Sequence, residues 1–241
     1  MSGAAPGALR WVLVGIVACV SGSCSPRDDA GAGKTIGLLP SGDTMGLPPG
    51  EAGITLGSDA WVNERDKGAL GWGWERGVFE VAPGTGNLRT REKFGDCLLH
   101  VEFKTSSDPG VEWKHDGNSG VYIQRRYEIQ ILNSHGERVS DESCGAIYTF
   151  REPELDASRP AGEWQTFDIV FRAPRWMAGE KVENARVSVL HNGKLIHDDV
   201  AIPGSTGSGK PEGATEEPLR LQDHGSAVQF RNVWIKRLDL D

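Results

Sequence analysis

Apolar residues recur at every second position in short runs along most of the chain. Beyond the first two dozen residues, no segment keeps a helical spacing over ten positions. Side chains on a strand alternate between faces, so this period marks sheets with one oily side and one wetter side. The clearest run is Cys97-Leu-Leu-His-Val-Glu-Phe-Lys104, with Leu99, Val101 and Phe103 on one face and His100, Glu102 and Lys104 on the other. Asn118-Ser-Gly-Val-Tyr-Ile-Gln124 and Tyr127-Glu-Ile-Gln-Ile-Leu132 flank Arg125-Arg126. They set Val121, Ile123, Ile129 and Ile131 against Tyr122, Gln124, Glu128 and Gln130. That second set holds amides, a carboxylate and a ring rather than the Lys/Glu/Thr mix of a solvated face, and it suits a sugar-binding surface.

Further strands are predicted at Val78–Val81, Asn87–Thr90, Gly145–Thr149, Trp164–Phe171, Leu219–His224 and Val228–Leu238. Arg186 to His197 reads as a hairpin, because Asn192-Gly193 supplies the two positive-φ residues of a type I′ turn. Residues 204–213 read as a flexible loop. Many short strands, each with one oily face, predict an all-β fold of two packed antiparallel sheets.

With 241 residues the chain is long enough for one large β domain. A net charge of -8 and a pI near 5.3 argue against nucleic acid as a partner. Arg10 and the apolar run Trp11–Val20 have the form of an export signal and are too short to span a bilayer. Small residues then lead to Cys24, as in a bacterial lipoprotein signal, and Cys19 fits the same pattern. Residues 1–24 are therefore expected to be a lipoprotein-type signal with Cys24 (or Cys19) lipidated. Residues 25–52, rich in Gly, Pro, Asp and Ala, are expected to be a flexible linker, and residues 53–241 the folded domain. The protein would then sit in the cell envelope, periplasmic or outer surface, tied to membrane by its lipid. Cys97 and Cys144 are left as either a disulfide or two buried thiols.

Several of these stretches together resemble the 3-keto-disaccharide hydrolase domain family. They are Phe94-Gly-Asp-Cys-Leu-Leu-His-Val-Glu-Phe, Asn118–Gln124, Tyr127–Leu132, Cys144-Gly-Ala-Ile-Tyr, Gly162-Glu-Trp-Gln-Thr-Phe-Asp-Ile, and Pro218-Leu-Arg-Leu-Gln-Asp-His-Gly-Ser-Ala-Val-Gln-Phe-Arg-Asn-Val-Trp-Ile. The resemblance spans roughly residues 55–240; the Trp- and Gly-rich segment at its start departs from the commoner family opening. It implies a two-sheet antiparallel jelly-roll sandwich, similar to concanavalin-type lectins and laminarinase-type glucanases. It also implies a carbohydrate ligand held on the concave sheet, and cleavage of 3-keto-glycosides by elimination and hydration.

By alternation, the polar candidates for that face are Glu102, Lys104, Tyr122, Gln124, Glu128, Gln130, Arg220 and Gln222, with Asp223 and His224 at a strand end. Glu128 is the strongest candidate for a general base, being a carboxylate among amides and rings. A laminarinase-type retaining mechanism needs two carboxylates on this strand, but Gln130 and Asn133 occupy the other positions. Elimination asks for one base (Glu128), an electrophile (Arg220, Lys104 or His224, or a metal) and an acid for the leaving oxygen (His224 or Asp223). No cofactor is expected, and no zinc-type histidine spacing is present; a divalent metal would have to draw on His100, Glu102, Asp223 or His224. His191 and His197 are expected to be solvated beside the hairpin turn. A non-catalytic carbohydrate-binding module of the same fold is the alternative, since fold does not decide activity.

Overall fold

A computed structural model describes residues 53–107 and 110–240. The signal, the lipidation cysteines Cys19 and Cys24, and the linker lie outside the described residues. The strands are β1 (Ile54–Thr55), β2 (Trp61–Asn63), β3 (Gly73–Glu75), β4 (Val78–Glu80) and β5 (Leu88–Thr90), then β6 (Cys97–Lys104), β7 (Ser119–Ile123) and β8 (Tyr127–Ile131). They continue with β9 (Gln165–Arg172), β10 (Arg175–Met177), β11 (Glu180–Glu183), β12 (Ala185–His191), β13 (Lys194–Ile202), β14 (Arg220–Leu221) and β15 (Gln229–Arg237). Among the described residues the one helical piece is a 3₁₀ turn at Ser58–Ala60.

Two antiparallel sheets pack face to face. The larger runs β13-β12-β9-β6-β15-β4-β3, with β1 beside β15; the smaller runs β2-β5-β14-β7-β8. The strands β10 and β11 form a separate hairpin. The predicted oily faces meet between the sheets. Leu99, Val101, Phe103, Phe167, Ile169, Phe171 and Phe230 from the larger sheet close on Val121, Ile129, Ile131, Leu88 and Leu221 from the smaller. Burying a side chain of this size contributes about 1.5–3 kcal/mol, so this layer fixes the register that decides which polar residues face outward.

The Asn192-Gly193 turn forms as expected, with φ of 50° and 76°. Two expectations change. The run 145–149 is no strand: Ile147 alone makes bridges, to Ile129 and Arg151. His191 and His197 are fully buried rather than solvated. The ring of His191 meets Gln165 Oε1 at 2.9 Å and that of His197 meets the Gly145 carbonyl at 2.8 Å. Burial lowers both, His191 to about 3. The open question of a disulfide is answered by two free, buried thiols. Cys97 opens β6 between Phe171 and Arg237, whereas Cys144 lies in the loop beyond β8, its amide bonded to Ser134 Oγ. Burial pushes both thiols up to about 12.

Candidate active site

The outer face of the smaller sheet carries a row of side chains set by strand register. Glu128 on β8 is paired with Tyr122 on β7, Tyr122 with Arg220 on β14, and Arg220 with Arg89 on β5. One step along, Gln130 is paired with Gly120, whose carbonyl accepts the Gln222 amide at 3.0 Å. Glu128, Gln130, Tyr122, Arg220 and Gln222 therefore share one patch, and all are buried although they point away from the core.

Gly120 explains where the carboxyl goes. A Cβ there would collide with Glu128 Oε1, so the missing side chain lets the carboxyl lean across from β8 onto β7. It comes to rest at the Gly120 position of the cross-strand row that also holds Gln130 and Gln222. Its other oxygen, Oε2, accepts the Tyr122 hydroxyl at 2.5 Å. Arg220 stacks its guanidinium on the Tyr122 ring at 3.7 Å, and Gln222 Nε2 donates to Tyr122 Oη at 3.3 Å.

Residues 203–218, of which 204–213 were expected to be a flexible loop, form a strap that seals this patch. The Thr206 amide bonds the Arg126 carbonyl at 2.9 Å, and the Glu128 amide bonds Thr206 Oγ1 at 2.8 Å. The Lys210 amide bonds the Arg125 carbonyl at 2.8 Å, and Glu212 takes the Tyr127 hydroxyl at 2.5 Å and Lys181 of β11 at 2.6 Å. Ser208 Oγ meets Tyr122 Oη at 3.0 Å. Gly207, with φ of 54°, lies so close above Glu128 that a Cβ would strike Oε2. Glu128 is accordingly 2% exposed, between one glycine below and another above.

Burial pushes Glu128 up to about 7, against the opposing pull of the Tyr122 hydrogen bond and the Arg220 charge. Burial and the neighbouring Glu128 push Tyr122 well up, so its hydroxyl stays protonated as a donor. Three polar atoms of the patch are buried without a partner: Gln130 Oε1, Gln222 Oε1 and Arg220 Nε. Buried polar atoms are normally satisfied, so a cluster of three beside a raised carboxyl makes this face the candidate site. Tyr148 was not singled out in the sequence, yet it edges the same patch, since its ring stands against Gly207 and the Glu128 charge raises its hydroxyl after burial and Glu142.

The remaining candidates lie elsewhere. Glu102 and Lys104 are on the outer face of the larger sheet. Glu102 is held by Arg231 at 2.6 Å and Asn232 at 2.8 Å, and Lys104 stands over the Trp164 ring at 5.1 Å. They were grouped with Glu128 because alternation defines a face within one strand but not which sheet that strand joins. Gln124 belongs to the β7–β8 turn, with φ of 53°, where it bonds the Phe94 carbonyl at 2.9 Å and Arg126 at 2.9 Å. Asp223 follows β14 but turns to the amides of Gly84, Gly86 and Gly225, anchoring a loop. His224 is exposed beside it. Asn133 is tied to Asp116 and Ser106, leaving Glu128 as the carboxylate on its strand. Among the described residues, no group of three or more His, Cys, Asp or Glu side chains could hold a metal ion.

A sandwich of two antiparallel sheets, carrying a buried carboxyl, a tyrosine, an arginine and two amides on one outer face, is the architecture of a carbohydrate-active protein of the jelly-roll class. The chain belongs to the family of 3-keto-alpha-glucoside-1,2-lyase-like domains, whose model matches residues 53–236. It is similar to a "putative glycosyl hydrolase" of Parabacteroides distasonis, 30% identical, covering 78% of this chain and 84% of that one with a TM-score of 0.72. A second such protein of the same bacterium, 22% identical, shares the fold over 75% of this chain and 89% of that one, with a TM-score of 0.55. No curated protein matches the chain. At this level the protein is glycosidase-like and carbohydrate-active.

Proposed function

We propose that the protein cleaves 3-keto-glycosides by elimination followed by hydration, with Glu128 as the base. The observation that carries this reading is the Glu128 carboxyl itself. It is buried against a stacked tyrosine–arginine pair, leans over Gly120, and its Oε1 accepts no hydrogen bond from the described residues.

A ketone at C3 acidifies the C2 proton. Glu128 removes that proton, and the resulting enolate gains from the Arg220 guanidinium and its unpartnered Nε. The electron pair then expels the C1 oxygen, which leaves with a proton, and a C1–C2 double bond forms beside the ketone. Water adds at C1 and a proton returns to C2, so the net change is hydrolysis without redox. Asp223, engaged by three backbone amides, and the exposed His224 beside it lie away from Glu128, so the leaving oxygen takes its proton from water. The strap must lift off Glu128 before a sugar can reach Oε1. The same reading takes the protein to the cell envelope through the lipid on Cys24 or Cys19. Loss of lipid labelling in a Cys24→Ala, Cys19→Ala double variant is the expected result.

The deciding experiment measures product release from a 3-keto-glucoside and from the matching unoxidised glucoside, by the wild type and by Glu128→Gln. Release from the keto substrate alone, lost in the variant, is the expected outcome. Full activity in Glu128→Gln would sink the assignment. Binding of glycan without turnover of either substrate would make the protein a binding module.

A further inference from the structure

We propose that Gln130 and Gln222 are a specificity-determining pair that reads two hydroxyls on one sugar ring. The proposal rests on the Glu128 face being where the sugar binds, and adds to it which part of the sugar is recognised.

The two glutamines occupy the same cross-strand row on either side of Gly120, and the Glu128 carboxyl leans into the space between them. Neighbouring strands are about 4.8 Å apart, so the backbones of the two glutamines lie about 10 Å apart, a span that one pyranose ring with a hydrogen bond on each side can bridge. Both side chains are buried, at 3% and 8% exposure, and each Oε1 is without a partner. The orientation of Gln222 follows from its Nε2, which donates to Tyr122 Oη and so turns Oε1 away from that bond. Two buried acceptors call for two donors. Sugar hydroxyls donate, so two of them on one ring satisfy the pair. Arg220 Nε, the third unpartnered atom, is a donor and takes a ring or carbonyl oxygen.

The test uses the full chain and calorimetric titration. The probes are methyl α-glucoside, which the elimination reading predicts is not turned over, and its mono-deoxy analogues. Two of the deoxy analogues should each lose about five- to tenfold, the loss of one hydrogen bond to a buried acceptor. In Gln130→Leu one of those two penalties should vanish, and in Gln222→Leu the other. The analogue series on the wild type needs no variant to fold, and Gln130→Met provides a second apolar replacement. Deoxy penalties unchanged in the variants, or no glucoside binding at millimolar concentration, would each overturn the pair. Turnover of a 3-keto-glucoside without this discrimination removes the pair and keeps the elimination reading. Discrimination without turnover does the reverse.

Discussion

The two outer faces of the sandwich carry similar residues to opposite ends. Glu102 and Glu128 are both strand glutamates flanked by apolar neighbours in sequence. On the larger sheet Glu102 meets Arg231, which also stacks on Trp164 at 3.9 Å, and Asn232. Beside it, His100 bonds Asp168 at 2.7 Å and stacks on Trp234. Burial pushes Glu102 up, but those hydrogen bonds and the Arg231 charge outweigh it and hold the carboxyl below its ordinary range. On the smaller sheet Glu128 has the Tyr122 hydroxyl and, behind it, an arginine stacked on the ring, and burial wins. A carboxylate whose partners are complete is structural. One that is desolvated faster than it is paired is poised to take a proton.

Swapping the same substitution between the faces is the sharpest way to break that contrast. Glu128→Gln should cut turnover of a 3-keto-glucoside by about 10²–10⁴-fold, the usual contribution of a general base. Glu102→Gln should leave turnover within about twofold and cost about 1 kcal/mol of stability or less, as partly exposed ion pairs do. Equal loss in the two variants would erase the distinction.

Gly207→Ala should act next most strongly. Its Cβ would strike Glu128 in a left-handed backbone conformation, so the strap is expected to shift at a cost of about 1–3 kcal/mol, read as a lower thermal midpoint and faster proteolysis at 203–218. A strap that stays protected would show that the closure tolerates a side chain there.

The pH dependence separates the faces by sign. Turnover should rise with pH through about 7 as Glu128 loses its proton. Tyr122→Phe removes a hydrogen bond that lowers Glu128 and should displace that limb to higher pH. For stability, a carboxyl with a folded value near 7 and an ordinary value of 4.5 contributes fully below 4.5, and its contribution is lost as pH rises towards 7. Glu102 behaves oppositely: its contribution is present above 4.5 and lost as pH falls through its lowered value. Denaturant titrations across pH should therefore flatten between about 4.5 and 7 in Glu128→Gln, and only below about 4.5 in Glu102→Gln. A Glu128→Gln curve that parallels the wild type above 4.5 would contradict the burial account.

The alternation in Cys97–Lys104, Ser119–Ile131 and Gln165–Arg172 was legible because each strand buries one face against a common core. Phe103, Ile129 and Phe167 could be assigned inward from period alone. Glu128, Tyr122, Gln130, Arg220 and Gln222 were legible for the same reason, as the residues left over on the other side. Three things were not. Period two cannot say which sheet a strand joins, so Glu102 and Lys104 were grouped with a face they do not share. Gln124 was counted by alternation and Asp223 was placed at a strand end, though each lies past its strand, where backbone turns and amides decide direction. The strap's sequence, Gly204 to Gly213, reads as a flexible loop because its ordering comes from distant partners: Arg125, Arg126, Tyr122 and Lys181. Local spacing determined the strands, the core and the identity of the polar residues. Only the tertiary structure decided which of them lose water, because desolvation depends on what packs above a side chain, and here that is Gly207, 79 positions along the chain from Glu128.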